Sequence, residues 1–414
     1  MGYKLYNDYK NYKSYIMKRV YLDYAATTPV RAEVIEAMAP YWRENFGNPS
    51  SLHFWGTEAR KAVEEAREKV ATLINASPEE IVFTGSTTTS DNLAIFGVIN
   101  ALKSKTGQFL TSQIEHHAVL DVFKQLENQG FEVNFLPVDK NGVLNLEALR
   151  GAIGPQTILV SIMWANNEIG TIQPIGEISK TIKAVNEELG SKTYFHTDAA
   201  TIVEYLPINV RALGVDLLSL GPHKFGGPKG IGILYVKTGT KIKPITFGGH
   251  QENSLWPGTE AVPLIVGTAK AMELATQERK TLDKRVKKLQ DKLVKGVVER
   301  IPGSFLTGDK DKRLPDIVSF VFPGVEGEAI LLRLSAEGIA ASSGSACTSG
   351  ELKPSHVLLA MGVSAEQAHG SVRFSLGRET TEKEIDYVLE KLPKIIAELR
   401  ALAPELCLET KAIP

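Results

Sequence analysis

From about residue 82 to residue 236, short apolar runs alternate with longer stretches of helical periodicity. The runs lie at 81–83, 108–111, 131–136, 157–162, 194–197, 215–220 and 231–236, and are rich in Val, Ile, Leu and aromatic residues. Segments 118–128 and 175–189 between them have the spacing of helices. This alternation predicts a mostly parallel β-sheet covered by helices. Such folds bind ligands at the carboxyl ends of their strands. Thr88, His116, Asn167, Asp198 and Lys224 all fall just after an apolar run, and their common placement weighs more than any one motif.

The pattern changes near Thr276. Over 276–301, Leu282, Val286, Leu289, Leu293 and Val297 share one helical face, with charged residues opposite, as in a helix packed on a domain surface. Residues 317–322 suit a strand, and Thr381-Glu382-Lys383-Glu384 opens a last helix with a capping-box pattern. The predicted organisation is an arm over 1–18, a large domain over 33–275, and a smaller α+β domain built from 19–32 and 276–414. In the arm, Tyr3, Tyr6, Tyr9, Tyr12 and Tyr15 recur every third position, a period of neither helix nor strand. A disordered or loosely docked arm is expected, with Met17 an alternative start.

Composition narrows the classes. The chain has 414 residues, 43% hydrophobic and 23% charged, with a formal net charge of −1. That is an ordinary globular profile, and the charge argues against a general nucleic-acid or membrane surface. No apolar run is long enough to span a bilayer. Two cysteines, Cys347 and Cys407, exclude a disulfide framework and point to a reducing, cytoplasmic setting.

Several segments can carry chemistry. Gly221-Pro222-His223-Lys224-Phe225-Gly226-Gly227-Pro228-Lys229-Gly230 follows a strand, and Asp198 ends the preceding one. A lysine in a tight loop beside a carboxylate suits pyridoxal 5'-phosphate (PLP): the lysine forms the Schiff base and the carboxylate keeps the pyridine nitrogen protonated. On this loop alone, a glycine-rich turn with a solvated lysine is the favoured reading. Residues 85–92, Gly-Ser-Thr-Thr-Thr-Ser-Asp-Asn, suit a phosphate at a helix N-terminus, or a plain N-cap. Glu115-His116-His117 offers an imidazole for stacking and proton transfer, or a surface pair. Asn166-Asn167-Glu168-Ile169-Gly170 offers amides for a carboxylate, or a polar turn. Residues 342–350 form a small-residue loop around Cys347, which can expose a nucleophilic thiolate or simply connect two elements. Arg373 can clamp a carboxylate or make a surface ion pair.

In this order these segments closely resemble the cysteine desulfurases of the NifS/IscS-like group. The likeness runs from Tyr21-Leu22-Asp23-Tyr24-Ala25-Ala26-Thr27-Thr28-Pro29 through Phe46-Gly47-Asn48-Pro49-Ser50-Ser51 to the final helix. The resemblance implies a homodimeric fold type I PLP enzyme of α/β class, with a mostly parallel seven-stranded sheet and a smaller α+β domain. It implies Lys224 as the Schiff-base lysine, Asp198 at the pyridine nitrogen and His116 stacked on the ring. Thr88 and His223 would bind the phosphate, with Thr259 supplied by the partner subunit. Asn167 and Arg373 would hold the carboxylate of L-cysteine. Cys347, on a long mobile loop, would leave as a persulfide with alanine as co-product, and deliver sulfur to an acceptor such as an iron–sulfur scaffold.

The chain departs from that group around the cofactor. Thr201 stands where Gln is usual, Gly221, followed by Pro222, where a Ser usually precedes the His-Lys pair by two positions, and Thr89 where Glu is usual. In Glu252-Asn253-Ser254-Leu255-Trp256-Pro257-Gly258-Thr259 both arginines of the family loop are replaced. Hydrogen bonds to charged groups contribute about 1.5–3 kcal/mol each, so losing two weakens PLP binding by roughly 10²–10⁴-fold unless Thr201 or Ser219 replaces a contact. Two other readings follow from these departures: a scaffold that keeps the fold and binds partners, and a PLP lyase acting on selenocysteine or another cysteine derivative.

Overall fold

A computed structural model describes residues 19–103, 105–344 and 353–402. Seven of the apolar runs form one sheet. Its strands are β2 (Ile81–Thr84), β3 (Gln108–Ser112), β4 (Glu132–Leu136), β5 (Thr157–Ser161), β6 (Tyr194–Asp198), β7 (Leu217–Leu220) and β8 (Gly232–Val236), in the order β2-β8-β7-β6-β5-β3-β4. Pairings among β4, β3, β5, β6 and β7 are parallel, and β8 runs against both its neighbours. The carboxyl ends of β2, β3, β5, β6 and β7 therefore share one edge. Most of these strands are buried along their whole length, which explains why they read as continuous apolar runs and not as alternating ones.

The helices Thr87–Leu102, His117–Asn128 and Ile175–Leu189 cover the sheet. Each begins where the sequence breaks its apolar run with small or polar residues, and Ser86 and His116 cap the first two with their side chains. Two smaller sheets involve the rest of the chain. β1 (Val20–Tyr21) pairs in parallel with β11 (Ile339–Ala340), and β9 (Phe305–Leu306), β10 (Ile317–Val321) and β12 (Ser371–Ser375) form an antiparallel sheet. Asp23 bridges to Ser375, so the segment after β1 joins the second sheet.

The helix placed at 276–301 starts earlier: it runs unbroken over Val262–Arg300. Leu282, Val286, Leu289, Leu293 and Val297 are buried as the periodicity requires. The missed first half buries Val262, Ile265, Ala269, Met272 and Ala275, and its many small residues dilute the periodic signal. What changes at Thr276 is the composition of one helix, from apolar and small to strongly charged. The final helix, Glu382–Leu402, opens on the expected capping box: the Thr381 N–H donates to Glu384 (2.7 Å) and the Glu384 N–H to Thr381 Oγ1 (3.3 Å). Among the described residues no helix is long and apolar enough to cross a membrane.

Candidate active site

A cavity of about 400 Å³ opens at the shared carboxyl edge of the sheet, and Lys224, Asp198, His116, Thr88, Asn167, Thr201, His223 and Arg373 all line it. Lys224 comes from β7. The strand ends at Leu220, and after Gly221 the chain turns through a single 3-10 turn, Pro222–Lys224. The turn closes tightly on Gly227, where an added Cβ would stand 2.8 Å from the Pro222 carbonyl oxygen. Lys224 Nζ donates to the carbonyls of Ala25 (2.5 Å) and Ala26 (2.9 Å). That N-terminal segment is tied to the same turn: the Thr28 N–H donates to the His223 carbonyl (2.9 Å) and the Gly226 N–H to Thr28 Oγ1 (2.8 Å).

Asp198 ends β6 and accepts the Ala200 N–H at 2.9 Å. Burial pushes its carboxyl up to about 6, against the pull of that N–H and of the Lys224 charge. Asp91, on the helix Thr87–Leu102, is fully buried behind it, 3.5 Å from His196 Nε2. Burial and the neighbouring Asp198 charge push Asp91 well above the usual carboxylate range, with Ser219 pulling it back in part. Of the two carboxyls, Asp91 is the one held more strongly toward its protonated form, and Asp198 carries the negative charge at neutral pH.

His196 lies beneath this pair, with Nδ1 2.8 Å from Ser161 Oγ and Nε2 3.0 Å from Ser219 Oγ, and burial holds it neutral, down to about 3. Ser219 is thus fully buried and engaged inside the sheet, so it does not replace a lost cofactor contact. Thr201 is better placed: it lines the cavity, and its hydroxyl donates to the Ala165 carbonyl at 3.4 Å.

His116 caps the helix that follows β3, its Nδ1 accepting the Ala118 N–H at 3.1 Å. Burial, then the Lys224 charge, lowers its pKa to about 4. The ring is neutral at pH 7 with its proton on Nε2, the nitrogen that this bond leaves free. Glu115 beside it is scaffold: fully buried, it accepts the Met163 N–H on both oxygens (3.0 Å each) and the Ser112 hydroxyl at 2.5 Å.

The two asparagines divide their work. Asn166 is fully buried; its Oδ1 accepts the N–H groups of Glu168 and Ile169, and its amide donates to the Ile114 carbonyl. Asn167 faces the cavity, and its backbone carbonyl takes Arg373 Nη1 at 3.0 Å. Arg373, buried in β12, gives Nη2 to Asp23 at 3.0 Å. Glu168 turns the other way. It accepts Ser355 Oγ at 2.5 Å and lies 2.2 Å from where a Cβ on Gly344 would stand, so it touches both sides of segment 345–352. Burial pushes its carboxyl up to about 7.

Two expected residues are not brought into this cavity. Thr259 is exposed and lines a different one, with Phe83, Gly85 and Trp256. Cys347 lies outside the described residues. Conversely, the Ala25–Ala26 carbonyls, Asp91, His196 and Glu168 were not foreseen as parts of the site. Backbone carbonyls leave no mark in a sequence, and nothing in Asp91 or His196 distinguishes a buried carboxyl or imidazole from an exposed one.

The residues present fit PLP. A lysine and an ionised carboxylate stand at adjacent strand ends, an uncharged imidazole forms a wall, and a hydroxyl-rich helix N-terminus faces them. There Thr87 Oγ1 is buried without a hydrogen-bonding partner.

Comparison with known proteins agrees with this geometry. Residues 20–388 match the aminotransferase class-V family. The chain is 51% identical over 389 residues to the cysteine desulfurase IscS of Dictyoglomus turgidum, covering 94% of this chain and 97% of that protein. It is 50% identical to the cysteine desulfurase IscS of Methanosarcina thermophila, covering 94% of each. A solved structure titled as a NifS-like protein superposes with a TM-score of 0.86 at 41% identity, covering 92% of this chain and all of that one. With the lysine, carboxylate and imidazole gathered at one sheet edge, these likenesses assign the chain to the aminotransferase class-V family, among its PLP-dependent cysteine desulfurases of the IscS/NifS type.

Proposed function

We propose that this protein converts L-cysteine to L-alanine and takes the sulfur onto Cys347 as a persulfide, for delivery to an acceptor protein. The observation that carries the reading is the convergence of Lys224, Asp198, His116 and Arg373 on one cavity in a chain of this family. PLP, when bound, supplies an electron sink that loosens bonds at Cα and Cβ of an amino acid. Lys224 would hold the cofactor through Nζ, leaving the Ala25 and Ala26 carbonyls to do so. Asp198, ionised at neutral pH, would sit opposite the pyridine nitrogen and favour its protonated form. Thr88 and His223 would bind the phosphate, and Thr201 would lie beside the ring.

Arg373 and Asn167 would orient the substrate carboxylate. To accept a proton on Nδ1, His116 must release the Ala118 N–H; until then it offers only a donor, at Nε2. In the sulfur step the substrate Cβ–S bond breaks and an S–S bond to Cys347 Sγ forms. The bonding pair stays on Cβ, which takes a proton to become the methyl group of alanine, so no outside oxidant or reductant is needed. The purified protein supplied with PLP and cysteine should therefore yield alanine and, with a thiol reductant, sulfide. A protein that stays colourless with PLP and yields neither product overturns the reading.

We further propose a homodimer. Trp42, Phe46, Leu52, Phe54 and Phe247 are exposed large apolar side chains, Phe46 and Phe54 both against the Trp55 ring, a surface that a partner would cover, and Thr259 stands outside its own chain's cavity. The division into a large domain over 33–275 and a smaller one from 19–32 with 276–414 draws support from the pairing of β1 with β11; the arm over 1–18 lies outside the described residues. A cytoplasmic setting, and an iron–sulfur scaffold as acceptor, complete the reading.

A further inference from the structure

The hydroxyls around the start of the helix Thr87–Leu102 are not equivalent. Ser86 and Thr89 close on each other: the Thr89 N–H donates to Ser86 Oγ at 3.1 Å and the Ser86 N–H to Thr89 Oγ1 at 2.8 Å. Thr84 and Ser90 pair at 2.7 Å. Four hydroxyls are therefore used by the local fold. Thr88 is exposed. Thr87 differs from all of these, because its Oγ1 is buried and has no partner. A buried hydroxyl left unpaired is costly and uncommon, and here it lines the Lys224 cavity at the positive end of a sixteen-residue helix.

Directly against Thr87, Gly221 precedes the lysine turn. A Cβ placed there would stand 2.6 Å from Thr87 Oγ1 and 3.5 Å from both Ala200 Cβ and Lys224 Cγ. A side chain at 221 and the Thr87 hydroxyl thus compete for one space between the helix N-terminus, the turn after Asp198 and the lysine. We propose that Thr87 and Gly221 are a matched pair: Thr87 Oγ1 donates to the cofactor's phosphate from the space that a side chain at 221 would fill. The inference rests on the PLP reading above and adds one phosphate contact, made within a single subunit, which the departures at the lysine turn alone do not reveal. The contact replaces one lost hydroxyl and leaves both missing loop arginines uncompensated.

The test is absorbance titration of the cofactor-free protein with PLP and, separately, with pyridoxal, which lacks the phosphate; inorganic phosphate serves as competitor. Thr87→Ala should raise the Kd for PLP roughly 10- to 100-fold, the effect of one hydrogen bond to a charged group, with pyridoxal binding unchanged. Thr87→Ser should bind PLP like the parent. Gly221→Ser alone should weaken PLP binding by forcing Thr87 aside, and the double variant Thr87→Ala/Gly221→Ser should recover it, now with the hydroxyl supplied from position 221. Melting temperatures near the parent's show that each variant folds. If the parent prefers PLP to pyridoxal but Thr87→Ala stays within about twofold of it, the inference is wrong and the cofactor reading stands. A parent that binds PLP no better than pyridoxal, or is not competed by phosphate, also overturns the inference. A parent that binds neither aldehyde overturns the cofactor reading, and the inference with it.

Discussion

Arg373 is engaged before any substrate arrives, with Nη1 on the Asn167 carbonyl and Nη2 on Asp23. A substrate carboxylate must share that guanidinium or displace Asp23 from it. Lysine carries the charge but not the two-pronged geometry. Arg373→Lys should therefore raise KM for cysteine roughly 10- to 100-fold, the equivalent of one charged hydrogen bond, and change kcat much less; steady-state kinetics separate the two. Lys224, Asp198 and His116 could be found in the sequence because each directly follows an apolar run, and strand ends are where such folds place their ligands. Thr87 could not, since a threonine at a helix start reads as an ordinary cap until the burial of its hydroxyl is seen. Thr259 was legible only as a family position, and its own chain leaves it outside the cavity.

At the scale of elements, the segment that carries Cys347 is flanked by residues pinned on one buried carboxyl. Gly344 leaves no room there: an added Cβ would stand 2.2 Å from Glu168 Oε2. Gly344→Ala should cost about 1–3 kcal/mol, as overpacking of a tight site does, and lower the melting temperature. Glu168 also couples this contact to pH. Burial raises its pKa from 4.5 to about 7, so its stabilising contribution is complete below pH 4.5 and is lost as pH rises through 7. Glu168→Gln cannot ionise, and should lose less melting temperature than the parent between pH 6.5 and 8. The strands of the large sheet were legible to within about two residues because most of them, buried on both faces, read as unbroken apolar runs. The first half of Val262–Arg300 was hidden because its small buried residues carry little periodic signal.

For the whole molecule, buried acids and buried histidines bracket the stable pH range. Glu115, Glu168 and Glu204 are raised from 4.5 to about 8, 7 and 7 by burial, and their contribution falls as pH climbs through those values. His116, His196 and His223 are lowered from 6.5 to about 4, 3 and 4, again chiefly by burial; their contribution is complete above pH 6.5 and falls as the medium acidifies through 4. Above pH 6.5 the histidines add nothing further while the acids still lose, so the melting temperature should fall from there through pH 8, which a pH series of thermal melts checks. With the loop arginines replaced, PLP should be held with a Kd above about 1 μM, some two decades weaker than full phosphate contacts would give; submicromolar affinity contradicts this.

The proposed function depends above all on the passage of sulfur from cysteine to Cys347. Mass spectrometry of the protein after a single turnover with PLP and cysteine tests it directly. One sulfur atom should be added on the peptide containing Cys347, with one alanine per modified chain, and Cys347→Ser should show neither sulfur nor further turnover. Alanine formed with no sulfur on Cys347, or equal turnover by Cys347→Ser, would contradict it.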